Sequence, residues 1–256
     1  MPSYVGVRVR RGLPYAPPVP TRLHVLRVYR SAVAIIVVNA RIVIPAVIVA
    51  TVIPLLIELF VEHELPRGIA ALVTTVVDSF AAMFFAGAAE QLVHRWEEGE
   101  RRVKVKGVLS RVPPVILPLF AVAILQALAV GLGMLLLIIP GFIIWTFTAV
   151  VGPVVVAEEV GVRRSFRRSA RLVRGNAWRV FFIVLSVELL AGILAVLIGL
   201  VFTSIGESGE NPIALAIGEA FTFPLEVFSV AVMYWRLREI ERVGLSAQAD
   251  EAVAAG

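Results

Sequence analysis

The stretch EEVGVRRSFRRSARLVRGNAWRVFF, Glu158 to Phe182, sets seven arginines into a chain that is otherwise dominated by hydrocarbon side chains. At about 2.5 to 3.5 kcal/mol for each arginine near a bilayer centre, burying them there would cost roughly 17 kcal/mol or more, so residues 160–174 cannot cross a membrane. On a wheel turning ~100° per residue, Arg163, Arg164, Arg167, Arg168, Arg171 and Arg174 fall within an arc of about 140°. Val162, Phe166, Ala170 and Val173 gather opposite, and Ser165 and Ser169 mark one border. The pattern predicts an amphipathic helix lying in the membrane interface, its basic face toward phosphate headgroups. Gly175 and Asn176 both accept a left-handed cap and should end it.

The surroundings of this helix are apolar. Hydrophobic residues make up 59% of the 256, and the mean hydropathy is +0.90, values that belong to an integral membrane protein. Six spans are predicted, roughly 31–60, 68–93, 114–139, 141–157, 180–204 and 212–235, each long enough to cross about 30 Å of hydrocarbon or nearly so. The fourth is short. Only Pro140 and Gly141 separate it from the third, so the two read as a tight hairpin or as one broken, partly re-entrant element. The fold class is therefore all-α: a polytopic transmembrane bundle of about six spans, with the amphipathic helix between spans four and five. Residues 1–30 form a basic, proline-rich tail, 31–240 the membrane domain, and 241–256 a flexible C-terminal tail.

Orientation follows from Lys and Arg. The N-terminal tail, the 94–113 loop, the 158–179 loop and the C-terminal tail carry 6, 6, 7 and 3 of them, whereas EHELPRG carries one and ESGEN none. The positive-inside rule then places both termini and both long loops in the cytoplasm of a cell membrane. With no cysteine, disulfides and thiolate chemistry are excluded. Arginine greatly outnumbers lysine and Asn and Gln are scarce, a bias that points to a hot environment.

Arg41, Asp78, Glu188, Glu219 and Glu226 lie inside predicted spans, where an ionisable group is costly and usually faces protein or a cavity. Counted from the span ends, Arg41, Glu188 and Glu226 share a level, so a buried pair between Arg41 and one of the two acids is expected. Glu219, Thr222, Glu226 and Ser229 form a polar stripe on span six, and Glu188 shares a face with Gly192, Ala195 and Gly199 on span five, which predicts that the two spans pack through these faces. The competing reading of the same acids is an ion- or proton-coupled pathway in which some carboxyls hold protons.

The segment AEEVGVRRSFRRSARLVRGNAWRVFF, with IIPGFIIW (138–145) before it and MYWRLREIE (233–241) after the last span, resembles a signature of prokaryotic multi-pass membrane domains. That group includes the membrane domain attached to some glycerophosphodiester phosphodiesterases. The similarity covers roughly residues 110–241 and implies a six-helix membrane domain with no chemistry to carry over, since no soluble phosphodiesterase domain accompanies it here. His24, His63 and His94 fall in separate segments, and no H-E-x-x-H, G-x-S-x-G or phosphate loop is present. No metal, cofactor or catalytic residue is therefore expected. The expected function is a non-enzymatic membrane scaffold or accessory domain engaging anionic lipid, a protein partner or a second copy of the chain, with a transporter or permease subunit as the alternative. Nucleic acid fits least, because Phe166 lies on the apolar face rather than among the arginines.

Overall fold

The computed structural model describes residues 23–101, 113–204 and 212–254. The proline-rich tail before residue 23, most of the 94–113 loop and the ESGEN loop lie outside them. Among the described residues the chain forms nine helices: α1 (Val25–Val38), α2 (Ala40–Glu64), α3 (Arg67–Glu97), α4 (Pro113–Leu136), α5 (Ile138–Thr148), α6 (Val151–Glu158), α7 (Val162–Val173), α8 (Ala177–Ser204) and α9 (Pro212–Ala254). Six segments are long and apolar enough to cross a membrane: Ala40–Val61, Gly68–Glu97, Leu117–Leu136, Ile138–Glu158, Ala177–Ser204 and Ala216–Ser246. The protein is an all-α, multi-pass helical bundle.

The first span begins later than its hydropathy suggests. Asn39 breaks the run, its Nδ2 donating to the carbonyl of Ile35 at 3.1 Å, a local bond through which asparagine competes with helix continuation. Residues 25–38 therefore form a separate amphipathic helix, α1, which buries Val28, Ala32 and Ile35 along one side. Tyr29 of α1 donates to the carbonyl of Ile183 at 2.8 Å and meets Ser186, tying α1 to α8. Burial pushes the Tyr29 phenol above its ordinary range, a shift that its bond to Ser186 partly opposes.

The third and fourth spans form a tight hairpin. Its joint is the extended Leu137 (φ −158°, ψ 133°), three residues ahead of the expected Pro140-Gly141 corner, and Pro140 sits in the first turn of α5 where its missing N–H costs little. Gly141 is then free to pack against the end of α4: a Cβ on Gly133 would stand 2.9 Å from Gly141 Cα, and one on Gly141 would meet the Met134 backbone at 2.7 Å. The fourth span is complete but broken, with α5 and α6 separated at Ala149 and Val150. From 241 onward, where a flexible tail was expected, α9 continues in helical form to Ala254.

The core is not spread evenly along the membrane normal. The buried residues of α8 are Val180, Ile183, Val184 and Val187, all in its first three turns. The first three join Val28, Ala32 and Ile35 of α1, Leu92 and Val93 of α3, Leu172 and Val173 of α7, and Phe228, Val232, Tyr234 and Leu237 of α9. Beyond Val187, α8 presents Leu189, Ile193, Val196 and Leu200 outward, as lipid-facing side chains are. The bundle is thus packed most densely at the end that carries α1 and α7, called the basic end below.

Replacing Gly133 by Ala is expected to lower the thermal midpoint of the purified protein by several degrees, because the added methyl would stand 2.9 Å from the Gly141 backbone, which cannot swing aside as a side chain can. Gly131→Ala, which meets nothing within 4 Å, is the control and should leave the midpoint unchanged or raise it through helix propensity.

Candidate functional site at the basic end

The amphipathic helix forms where it was predicted, spanning Val162–Val173, with Gly175 at φ +92° turning the chain beyond its end. It is entered through Glu159, a non-glycine residue at φ +48°, a conformation that costs roughly 1–2 kcal/mol. Its buried side, however, is not the expected one. Ser165, Ser169 and Val173 are fully buried and Leu172 nearly so, while Val162, Phe166 and Ala170 are only partly covered. The serines border the wheel, yet they lie against the bundle because small side chains let α7 approach α5 closely. Ser169 Oγ donates to the carbonyl of Phe147 at 2.8 Å. The break after Thr148 deprives that carbonyl of its usual helical N–H, and the serine hydroxyl satisfies it.

One arginine of the six is also turned inward. Arg168 Nε donates to both carboxylate oxygens of Glu158, at 2.9 and 3.1 Å, and its Nη1 donates to Glu241 Oε1 at 2.6 Å. Tyr234 OH donates to the same Glu158 at 3.2 Å. A single guanidinium therefore joins the end of α6, the middle of α7 and the distal part of α9. Its side chain is 14% exposed, and the bond to Glu241 leads the contacts that raise its pKa further, with Glu158 adding to it. Arg163, Arg164, Arg167, Arg171 and Arg174 remain exposed. The six-arginine surface is thus a five-arginine surface held by the sixth.

A second basic site assembles from residues that the sequence reading did not single out. An open cavity of about 670 Å³ is lined by Arg27 and Arg30 of α1, Trp96 and Arg101 at the end of α3, Arg236 of α9, and His24 among others. Arg101 stacks over the Trp96 ring at 4.4 Å, a cation–π contact that preorganises the guanidinium. Arg236 is held by Glu239 at 3.0 Å and approaches Glu97 at 3.9 Å, while its buried Nε meets no partner. Scattered over more than two hundred positions, these arginines each read as an ordinary topology signal. Only the packing of α1 beside α3 and α9 gathers them.

The charges within the spans separate into groups. Glu188 neighbours Glu226, and Asp78 and Glu58 each neighbour Glu219. Arg41 joins neither group: it is exposed in the first turn of α2, and among the described residues no carboxylate lies within ion-pair distance of it. The expected pair with Glu188 or Glu226 fails on depth, because the first span starts at Ala40 and leaves Arg41 at the basic end. Spans five and six, α8 and α9, do pack together, but Gly192 and Ala195 face outward and a Cβ on Gly192 would touch nothing. The small-residue face is therefore not their interface there.

A further acid escaped the sequence reading. Glu90 of α3 is 2% exposed, the most deeply buried charged side chain among the described residues. Its Oε1 accepts from Trp235 Nε1 at 2.8 Å, and Trp235 stacks on His94 with ring centroids 4.9 Å apart. Standing one turn before His94 near the expected end of its span, Glu90 reads in sequence as an interfacial residue; its burial comes from α9. No group of three or more acidic, His or Cys side chains suited to a metal occurs among the described residues. No family model matches the chain, and no curated protein or solved structure matches it either.

Arg168→Gln should destabilise the fold by about 1.5–3 kcal/mol, the range for hydrogen bonds to charged groups, read as a fall in thermal midpoint. Arg168→Lys should recover only part of it, since an ammonium cannot reproduce the two-sided fork. Arg167→Gln, on the exposed face, should be neutral to within about 0.5 kcal/mol; equal loss in R167Q and R168Q would contradict this assignment.

Proposed function

We propose that the chain is a non-enzymatic multi-pass protein of a cell membrane, with both termini and the basic end in the cytoplasm, that engages anionic lipid headgroups as a scaffold or accessory domain. The observation that carries this reading is the arginine-lined cavity at the basic end, where Arg27 and Arg30 of α1, Arg236 of α9 and Arg101, just beyond α3, converge. Its volume falls within the roughly 300–1,000 Å³ of small-ligand sites, and its donors are guanidiniums, which suit phosphate oxygens in bidentate geometry. The exposed arginines of α7 add a second surface of the same sign at the level where headgroups lie.

Three features agree with one another here. The cavity is beside α1, an interfacial helix whose outward face carries Leu26 and Val37, so a headgroup entering it keeps its acyl chains against apolar surface. The excess of Lys and Arg lies on the side of the spans that the positive-inside rule assigns to the cytoplasm, the leaflet face rich in anionic lipid. The similarity of residues 110–241 to membrane domains that accompany phosphodiesterases fits a domain whose task is to hold position in the bilayer. A second reading, an ion- or proton-coupled carrier or permease subunit, draws on the buried carboxyl Glu90 and the half-buried Glu226; Asp78, by contrast, is exposed on the outside of the bundle.

Native mass spectrometry of protein released from nanodiscs of mixed phosphatidylglycerol and phosphatidylcholine tests the lipid reading. The wild type should retain the anionic lipid preferentially. At about 1 kcal/mol per arginine, the double substitution Arg27→Gln, Arg30→Gln should lower that preference roughly 10- to 30-fold, whereas Arg163→Gln with Arg167→Gln should weaken bulk association with anionic membranes but leave tightly retained lipid in place. Equal retention of both lipids by the wild type would end this reading.

A further inference from the structure

Leu117–Leu136 and Ile138–Glu158 are complete as spans in length and composition, but their contacts hold them in one half of the bundle. The depth scale comes from α8 and α9, which pack antiparallel. Glu188 neighbours Glu226, and a Cβ on Gly218 would meet Ile198 at 3.6 Å. Seven residues from Glu188 toward the basic end is Phe181, and seven from Glu226 the same way is Met233. Phe181 is therefore about level with Tyr234, whose hydroxyl donates to Glu158 at 3.2 Å.

Phe142 stands 16 residues before Glu158, so a straight helix would carry it about 24 Å away from that level. Instead its ring lies 5.7 Å from that of Phe181, and the Trp145 ring lies 6.5 Å from it. Ile139 and Ile143 share an apolar pocket with Ala177 and Trp178, at the start of α8. The carbonyl of Phe147 meets Ser169, next to the Arg168 that binds Glu158. The break at Ala149 and Val150 thus bends α5 off the line of α6 and keeps it beside α7 and the first turns of α8.

Helix α4 stays with it. Leu119 and Val122 cluster with α6 and with Val162 and Phe166 of α7, while Gly133 is pressed against Gly141. Phe120, stacked on Phe80 at 5.1 Å, reaches deeper. Even so, Phe80 is only about 15 Å along α3 from Glu90, near the middle of a hydrocarbon layer ~30 Å thick.

The corner of the hairpin agrees independently. The turns joining spans at the far end, EHELPRG and ESGEN, are polar, whereas LLLIIPG (135–141) has no polar side chain and no charged residue occurs between Leu117 and Thr148. Leu135 to Ile139 are 67–82% exposed. A corner emerging on the far side would put these five aliphatic side chains into water; one lying among acyl chains gives them a matching medium. Lipid also demands that the backbone be satisfied there. It is, since the Leu137 N–H donates to Gly133 at 3.0 Å and its carbonyl accepts from Gly141 at 3.3 Å.

The body is therefore asymmetric along the membrane normal. The far end is built from α2, α3, α8 and α9, whereas at the basic end α1 and α4 to α7 are packed around them. Apolar volume added to one leaflet is accommodated best where that leaflet is expanded, which makes such insertions sensitive to curvature.

We propose that α4 and α5 form a wedge seated in the leaflet at the basic end, that α2, α3, α8 and α9 are the helices that cross, and that the wedge makes the protein favour bilayers convex on that side. Its partner is a curved lipid surface, recognised by packing rather than by headgroup charge.

Paired spin labels test the placement, and membrane tubes test its consequence. In a chain without cysteine, labels on Leu137→Cys and Trp178→Cys in nanodiscs should lie within about 20 Å of each other, whereas a hairpin crossing the bilayer would hold them about 30 Å apart, the hydrocarbon thickness. For the curvature preference, the protein is reconstituted with its basic end outward in giant vesicles of phosphatidylcholine alone, where anionic headgroups play no part. It should be enriched about twofold or more in narrow tubes pulled from these vesicles over the flat parent membrane. Replacing Leu135, Leu136, Ile138 and Ile139 together by Ala removes apolar bulk from outward-facing side chains, so the thermal midpoint should hold while the enrichment falls. A label separation near 30 Å, equal density on tube and flat membrane, or undiminished enrichment in the alanine variant would overturn the proposal.

Discussion

The guanidinium of Arg168 fixes a helix, α7, that cannot enter the bilayer. Bonded to Glu158 on one side and Glu241 on the other, it joins α6, α7 and α9, which otherwise meet largely through apolar contact. An interfacial helix held by apolar contact alone is free to roll about its axis, because lipid and protein are equally acceptable to valine and phenylalanine. The charge clamp and the Ser169 bond to Phe147 remove that freedom. Once α7 cannot roll, its five other arginines have a fixed direction, and the dense half of the core has a lid.

Much of this was legible in the sequence, for reasons that can be named. The spans were visible because twenty apolar residues in lipid leave a composition signal that no partner helix is needed to explain. The end of α7 at Gly175 was visible because the signal is a local backbone preference. The face that α7 buries was not. A wheel ranks residues by polarity, and by polarity Ser165 and Ser169 belong at the border; they are interior because α5 passes close enough to require small side chains and offers a carbonyl. Nor could one arginine be told from its neighbours, since the partner that distinguishes Arg168 lies 73 residues away.

The acids show the same limit from the other side. Depth counted from span ends placed Arg41 beside Glu188 and Glu226, but a single asparagine moved the start of the first span by about nine residues and Arg41 with it. Glu90 escaped attention because it stands close to a span end, where a carboxylate normally reaches water. Here Trp235 and the rest of α9 cover it. In both cases sequence distance to a boundary was a poor guide to burial, because burial depends on the neighbouring helix as well as on depth.

The account makes α7 a docked helix with one face sealed, and a chain without cysteine allows that to be measured directly. Single cysteines introduced as R163C, S165C, R167C, S169C and R171C can be challenged with a membrane-impermeant maleimide in vesicles that expose the basic end. The account predicts rapid modification at 163, 167 and 171, and protection at 165 and 169 that disappears when the protein is unfolded in detergent. Uniform modification along all five positions would mean that α7 is not held against the bundle, and would contradict it.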